Sequence, residues 1–232
     1  MLKLIGIGLK LKDLTLEAIE EIKNSDIIYL ETYTSLGASV EELESYLDKK
    51  IEKLDRTEVE SNKLVNESKN KDVALLVYGD VFSATTHLNF LPDVENIKIV
   101  NGLSILTAIG KTGLSLYNFG KVVSIPFSYK EIKSPIENLN KNLENELHTL
   151  FLLDLDPKNN KFLNVKDALN YLKENNVKGK VVVCCALGTN KEKIKYGEID
   201  SLVKDEYNMY PQCLIVPGKM HFMEEDCLKK FK

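Results

Sequence analysis

Val73-Ala74-Leu75-Leu76-Val77-Tyr78-Gly79-Asp80 is the stretch on which the fold turns. Its apolar run shows no polar alternation, so it reads as a strand covered on both faces, the kind found in parallel sheets flanked by helices. Gly79 then allows a tight turn, and Asp80 sets a carboxylate at the carboxyl end of the strand. Working outward, residues 2–7 form a similar run ending in glycines, and residues 27–30 and 97–100 are further strands. Between strands, Leu16, Ile19 and Ile22 fall at helical spacing with Glu17, Glu20, Glu21 and Lys23 outside them. Ser39 with Glu42 makes a capping box that predicts a helix start, and Thr57 with Glu60 repeats the signature. Ser104 opens a short helix that Gly110 and Gly113 close.

Beyond Tyr117-Asn118-Phe119-Gly120 the alternation resumes. Strands are expected at 121–125, 149–155, 180–186 and 212–216, and helices at 136–146, 165–175 and around 199–206. Such regular alternation predicts an α/β fold of two domains, 1–119 and 120–232, with mainly parallel sheets flanked by helices. Ligands of open α/β sheets sit at the carboxyl ends of strands, so chemistry is expected at the strand-to-loop junctions.

Composition narrows the function. The 232 residues are 44% hydrophobic and 28% charged, enough to bury a core. A net charge of −4 argues against a direct nucleic-acid footprint, and Arg56 is the only arginine available for bidentate phosphate binding. No apolar run approaches the roughly eighteen residues of a membrane span, and the N-terminal run is too short for a signal peptide. A cytoplasmic protein with free thiols is expected. Cys184 and Cys185 would point to opposite faces of a strand, and Cys213 and Cys227 form no CxxC pair. His87, His148 and His221 are not paired at helical spacing, so no metal site is expected.

Four junctions remain as candidates. Gly6-Ile7-Gly8-Leu9 lacks the third glycine of a dinucleotide fingerprint, since Leu11 stands in its place, and no Walker lysine motif occurs. After Gly79-Asp80, Thr85 or Thr86 is positioned to cap a helix that Pro92 keeps short. Asn101-Gly102-Leu103-Ser104-Ile105 joins a strand to a helix start, whose free N–H groups favour hydrogen-bond acceptors. In Ile215-Val216-Pro217-Gly218-Lys219-Met220-His221, a turn carries Lys219 and His221.

Taken together, these junctions resemble one family. Leu4-Ile5-Gly6-Ile7-Gly8-Leu9, Glu31-Thr32-Tyr33-Thr34-Ser35-Leu36, Gly79-Asp80 with Ala84-Thr85-Thr86-His87, Gly113-Leu114 with Phe119-Gly120-Lys121, and 215–221 stand in the order seen in diphthine synthases. That family falls in the tetrapyrrole methylase fold class, and the resemblance runs from residue 1 to about 221. It implies two α/β domains with S-adenosylmethionine in the cleft between them. It also implies methylation of the 3-amino-3-carboxypropyl group on a histidine of translation elongation factor 2, within diphthamide biosynthesis, by a homodimer. Carried over position by position, it places cofactor contacts at Leu9, Asp80, Ser83, Ser104, Ile105, Leu153, Leu187 and Gln212. The chain departs from the family pattern at Val81, Ser83, Gly102-Leu103 and Gln212, where proline, valine, a small residue with proline, and histidine are usual.

Tyr33, Lys219 and His221 are expected to meet the acceptor: a tyrosine face attracts an ammonium, and Lys219 or His221 its carboxylate. Transfer from a sulfonium to an amine disperses charge and needs neither a metal nor a strong base, which fits the absence of any His–Asp or Cys–His pair in the sequence. No residue is assigned as the base. The alternatives are a tetrapyrrole or ribosomal RNA methyltransferase of the same fold, and a non-catalytic cofactor-binding module.

Overall fold

The computed structural model describes residues 1–83, 85 and 87–232, apart from the side chain of Asp93. Thr86, one of the two expected helix caps, and Ala84 lie outside the described residues. The chain divides into two compact units, Met1–Leu106 with Asp156–Asn159, and Thr107–Leu155 with Asn160–Lys232.

The first unit holds β1 (Leu2–Gly6), β2 (Ile27–Glu31), β3 (Glu52–Leu54), β4 (Val73–Val77) and β5 (Ile97–Val100) in the order β3-β2-β4-β1-β5. Every pairing in this sheet is parallel. β4 is buried along its whole length, as a strand covered on both faces must be. Its helices are α1 (Leu16–Lys23), α2 (Val40–Leu47), α3 (Arg56–Val59), α4 (Lys63–Glu67) and α5 (Phe90–Asp93), and α6 (Ile105–Ala108) spans the unit boundary. The Ser39–Glu42 capping box forms as the sequence predicts. The box expected from Thr57 does not: the helix starts two residues earlier, where Asp55 caps α3 and pairs reciprocally with Glu58. Two apolar clusters cover the faces of the sheet, one centred on Ile5, Leu30 and Leu76, the other on Leu4, Leu75 and Val77.

The second unit holds β6 (Val123–Ile125), α7 (Ser134–Glu144) and β7 (Thr149–Leu153). A short ribbon pairs β8 (Leu155–Asp156) with β9 (Lys161–Phe162). Then follow α8 (Val165–Glu174), β10 (Lys180–Cys185), β11 (Lys193–Glu198), α9 (Ile199–Leu202), β12 (Gln212–Val216) and α10 (Phe222–Leu228). Its five-stranded sheet runs β11-β10-β12-β7-β6. Here the parallel expectation fails. Only β6 and β7 run parallel, whereas β12 lies antiparallel between β7 and β10, and β11 folds back on β10 as a hairpin. The reversal comes from the loop 186–192, where Ala186 and Gly188 adopt positive φ and turn the chain straight back into β11.

Candidate functional site

In the first unit the parallel register brings the strand ends level: Gly6 lies opposite Val77, Ile5 opposite Val100, and Leu30 opposite Leu76. Leu9, Tyr33, Asp80, Ser83, Ser104 and Ile105 therefore all follow strands that end along one edge. The structure brings these six positions together.

Glycine makes this edge possible. A Cβ on Gly102 would lie 2.2 Å from the Gly79 carbonyl oxygen, and one on Gly6 would lie 2.6 Å from the Gly102 nitrogen. Three backbones thus converge where no side chain fits. Gly8 and Gly79 exchange two backbone hydrogen bonds of 3.0 and 2.9 Å. Gly79 has φ +77°, and a Cβ there would touch nothing closer than 4.0 Å, so its outer side is open for a ligand to approach the main chain.

Asp80 ties this edge together. One carboxylate oxygen accepts from Phe82 N and Ser83 Oγ, both at 3.1 Å, and the other from Asn101 Nδ2 at 2.9 Å and Gly102 N at 3.2 Å. Burial raises its pKa, but those donors outweigh it and hold the group below the ordinary aspartate value. Leu9 N donates to Asp13 Oδ2 at 3.1 Å, and the Ser104 hydroxyl accepts from Leu106 N at 3.0 Å at the start of α6.

Sequence reasoning did not single out Glu31. Its fully buried carboxylate accepts from Tyr33 N at 3.2 Å, Thr34 N at 3.0 Å and the Thr34 hydroxyl, which shapes the loop that presents Tyr33. Burial pushes its pKa up, and the bonds from Thr34 and Tyr33 offset part of that rise. An acid closing a buried strand was the available signal.

In the second unit, Leu153 closes β7, Leu187 follows β10 and Gln212 begins β12. Because β12 is antiparallel, Gln212 lies opposite Cys185 and Cys213 opposite Leu152, so these three positions share one end of the sheet. The Gln212 side chain is fully occupied: Oε1 accepts from Val165 N at 2.7 Å, and Nε2 donates to Tyr207 O at 2.9 Å and Met209 O at 3.1 Å.

The same antiparallel strand separates Lys219 and His221 from that end. They follow Val216, which lies opposite Thr149 at the other end of the sheet, roughly 14 Å away at about 3.4 Å per residue. Lys219 is exposed and pairs with Glu146, its Nζ lying 2.9 Å from each carboxylate oxygen. His221 caps α10, with its ring nitrogen Nδ1 accepting from Met223 N at 3.4 Å. In this sheet Lys219 and His221 therefore lie at the opposite end from Leu153, Leu187 and Gln212.

Two residues that pin this distant loop were not foreseen from the sequence. Buried His148 accepts from Gly218 N at Nδ1 (2.9 Å), which places its proton on Nε2, 3.2 Å from Glu224 Oε1. Glu224 also accepts from Ser115 N at 2.7 Å and His221 N at 2.8 Å. Burial raises the Glu224 pKa, but these donors hold it below its ordinary value.

Among the described residues no His/Cys/Asp/Glu group is arranged to hold a metal ion, and no helix is long and apolar enough to cross a membrane.

Residues 1–203 match Tetrapyrrole (Corrin/Porphyrin) Methylases, and the chain belongs to that family. Within it, the chain groups with the diphthine synthases and is a methyltransferase. The diphthine synthase of Methanocaldococcus jannaschii is 39% identical over 99% of this chain and 98% of its own length. That of Methanococcus aeolicus is 39% identical over 99% and 97%. A solved diphthine synthase structure superposes with a TM-score of 0.92 at 31% identity, covering 99% of this chain and 95% of that one.

Proposed function

We propose that this chain transfers methyl groups from S-adenosylmethionine to the amino group of 3-amino-3-carboxypropyl-histidine on translation elongation factor 2. This is the step that yields diphthine in diphthamide biosynthesis. The observation that carries the reading is the convergence of Gly6, Gly79 and Gly102 at one strand edge in a chain whose relatives are diphthine synthases. A tetrapyrrole or ribosomal RNA acceptor is not favoured by relatives of that name or by the net charge of −4.

The edge fits the cofactor because it offers main-chain groups with no Cβ in the way at Gly79. The residues proposed to hold it are Leu9, Asp80, Ser83, Ser104 and Ile105 in the first unit, with Leu153, Leu187 and the main chain of Gln212 in the second. When bound, S-adenosylmethionine supplies an electrophilic methyl group on a sulfonium, with S-adenosylhomocysteine as the leaving product. The protein's part is positioning and exclusion of water, an effect that reaches roughly 7–11 kcal/mol where geometry is tight. Asp80 holds the loops after β4 and β5 in register, and Glu31 holds Tyr33 in place. An acceptor amine with a pKa of roughly 8 is already partly neutral near pH 7, so no dedicated strong base is required.

Incubating the protein with labelled S-adenosylmethionine and elongation factor 2 carrying the unmethylated intermediate tests the reading. Label is expected in the elongation factor and is expected to persist in excess chelator; no transfer, or transfer that needs one divalent ion, overturns it. Tyr33→Ala is expected to lower turnover with cofactor affinity unchanged, whereas Lys219→Ala, at the far end of its sheet, is expected to leave turnover at the wild-type rate. A loss of turnover in Lys219→Ala alone would restore that loop to the acceptor site.

We expect a cytoplasmic homodimer. Leu116, Tyr117, Phe222 and Met223 are exposed apolar residues of the second unit that a second copy would cover. Light scattering at micromolar concentration is expected to give twice the 26.3 kDa chain mass, and a monomer mass would refute the dimer.

A further inference from the structure

Beside the glycine-lined edge, on the β2–β4 side of the same sheet, lies a pocket of about 100 Å³ lined by Tyr33, Glu60, Asn62, His87 and Phe90 among others. His87 is only 1% exposed, and its Nε2 is buried with no hydrogen-bond partner among the described residues. A buried polar atom left this way is destabilising unless something brought into the pocket satisfies it. The imidazole lies 6.3 Å from the Tyr33 ring at 81° and 6.2 Å from Phe90 at 30°, so three aromatic rings surround one space.

Two features give that space a sign. Glu60 lines it, and its carboxylate lies 3.5 Å from Arg56 Nε. The Arg56 guanidinium lies 5.2 Å from the Tyr33 ring centroid, so this ring already attracts a cation. Burial depresses the His87 imidazole to about 4, which leaves it neutral near pH 7 and unable to repel a positive group. With Nδ1 protonated, the Nε2 lone pair is available to a donor N–H. The segment that carries His87 also exposes Leu88 and Leu91, apolar surface suited to the protein around such a group.

We propose that this pocket is the ammonium subsite of the enzyme. It takes the alkylammonium end of the protein acceptor between Tyr33, His87 and Phe90, with Glu60 opposite the charge and His87 Nε2 accepting an N–H while one remains. The proposal rests on the methyl-transfer reading for its occupant but not for its chemistry. The β4 loop links the two places: it leaves the glycine edge at Asp80 and reaches the pocket at His87. His87 here is a binding group and not a general base, since so weakly basic an imidazole would hold a proton poorly.

Tetramethylammonium chloride is the probe. The chain has three histidines, so ¹⁵N-histidine labelling resolves His87 from His148 and His221. Titration of the intact protein is expected to shift the His87 ring signals alone and saturably, while neutral tert-butanol produces no such shift. Tyr33→Leu and Glu60→Gln are each expected to weaken binding, the first by roughly two- to thirtyfold, the range of a cation–π contact. In methylation assays, His87→Phe keeps an aromatic ring and is expected to raise KM for the elongation factor with cofactor affinity unchanged. Absence of a His87 shift, an equal response to tert-butanol, or an unchanged KM in both Tyr33→Leu and His87→Phe overturns the subsite. If the wild-type protein fails to methylate the elongation factor, the proposed function falls, and the tetramethylammonium titration still decides the pocket.

Discussion

Replacing Gly102 with alanine is expected to destabilise the protein by at least about 3 kcal/mol, the upper part of the range for overpacking a filled interior. The new Cβ would lie 2.2 Å from the Gly79 carbonyl oxygen and 2.7 Å from the carbonyl carbon and oxygen of Gly6. All three are main-chain atoms at the ends of strands or just beyond them, so no side chain can rotate away. Gly79 and Gly102 flank Gly6 because β1 lies between β4 and β5, and spreading them would strain the parallel pairings on both sides. For a chain of this size each kcal/mol corresponds to about 2–4 °C, so the midpoint of thermal unfolding should fall by roughly 6–12 °C. Gly197→Ala is the control: its Cβ would meet only the Leu202 side chain, at 3.6 Å, an ordinary contact. A Gly102→Ala midpoint within about 2 °C of wild type by calorimetry would mean that these backbones do not constrain the edge as described.

Four of the five strands of the first unit are legible as short, mostly apolar runs. Residues 2–7, 27–30, 73–78 and 97–100 were read as strands and form β1, β2, β4 and β5. β3 was missed: Glu52-Lys53-Leu54 buries only Leu54, so three residues with one apolar position carry no pattern. In the second unit one strand carries little signal, with a long reach. Lys193-Ile194-Lys195-Tyr196-Gly197-Glu198 is an edge strand with lysines guarding it, and its Ile194–Tyr196 alternation is too short to mark a strand in the sequence. Without β11 there is no hairpin, and without the hairpin β12 appears to continue a parallel series. β12 runs antiparallel instead, which sets Lys219 and His221 at the opposite end of the sheet from Gln212. The partners of Asp80 at Asn101 and Gly102, and those of His148 at Gly218 and Glu224, lie far along the chain and are not readable from sequence spacing.

Asp80→Ala is expected to weaken S-adenosylmethionine binding by about ten- to a hundredfold, and the reason is the loop rather than the lost charge. The carboxylate receives four donors, from Phe82 N, Ser83 Oγ, Asn101 Nδ2 and Gly102 N, and so binds the turn after β4 to the turn after β5. Alanine leaves two main-chain N–H groups without their acceptor and lets the loops move relative to Gly79, whose open outer side is the proposed cofactor approach. Asn in place of Asp separates the two explanations. A carboxamide keeps one acceptor oxygen but turns its other end into a donor, which would face either Asn101 Nδ2 with Gly102 N or Phe82 N with Ser83 Oγ. If Asp80 acts by ordering the loop, Asp80→Asn should bind cofactor nearly as poorly as Asp80→Ala. Asn101→Ala, outside the proposed contact set, should then show a smaller loss in the same direction. If the carboxylate instead meets the cofactor directly, Asn101→Ala should bind like wild type. Isothermal titration of S-adenosylmethionine into the three variants reads all of these outcomes, and wild-type affinity in Asp80→Ala would remove the residue from the site altogether.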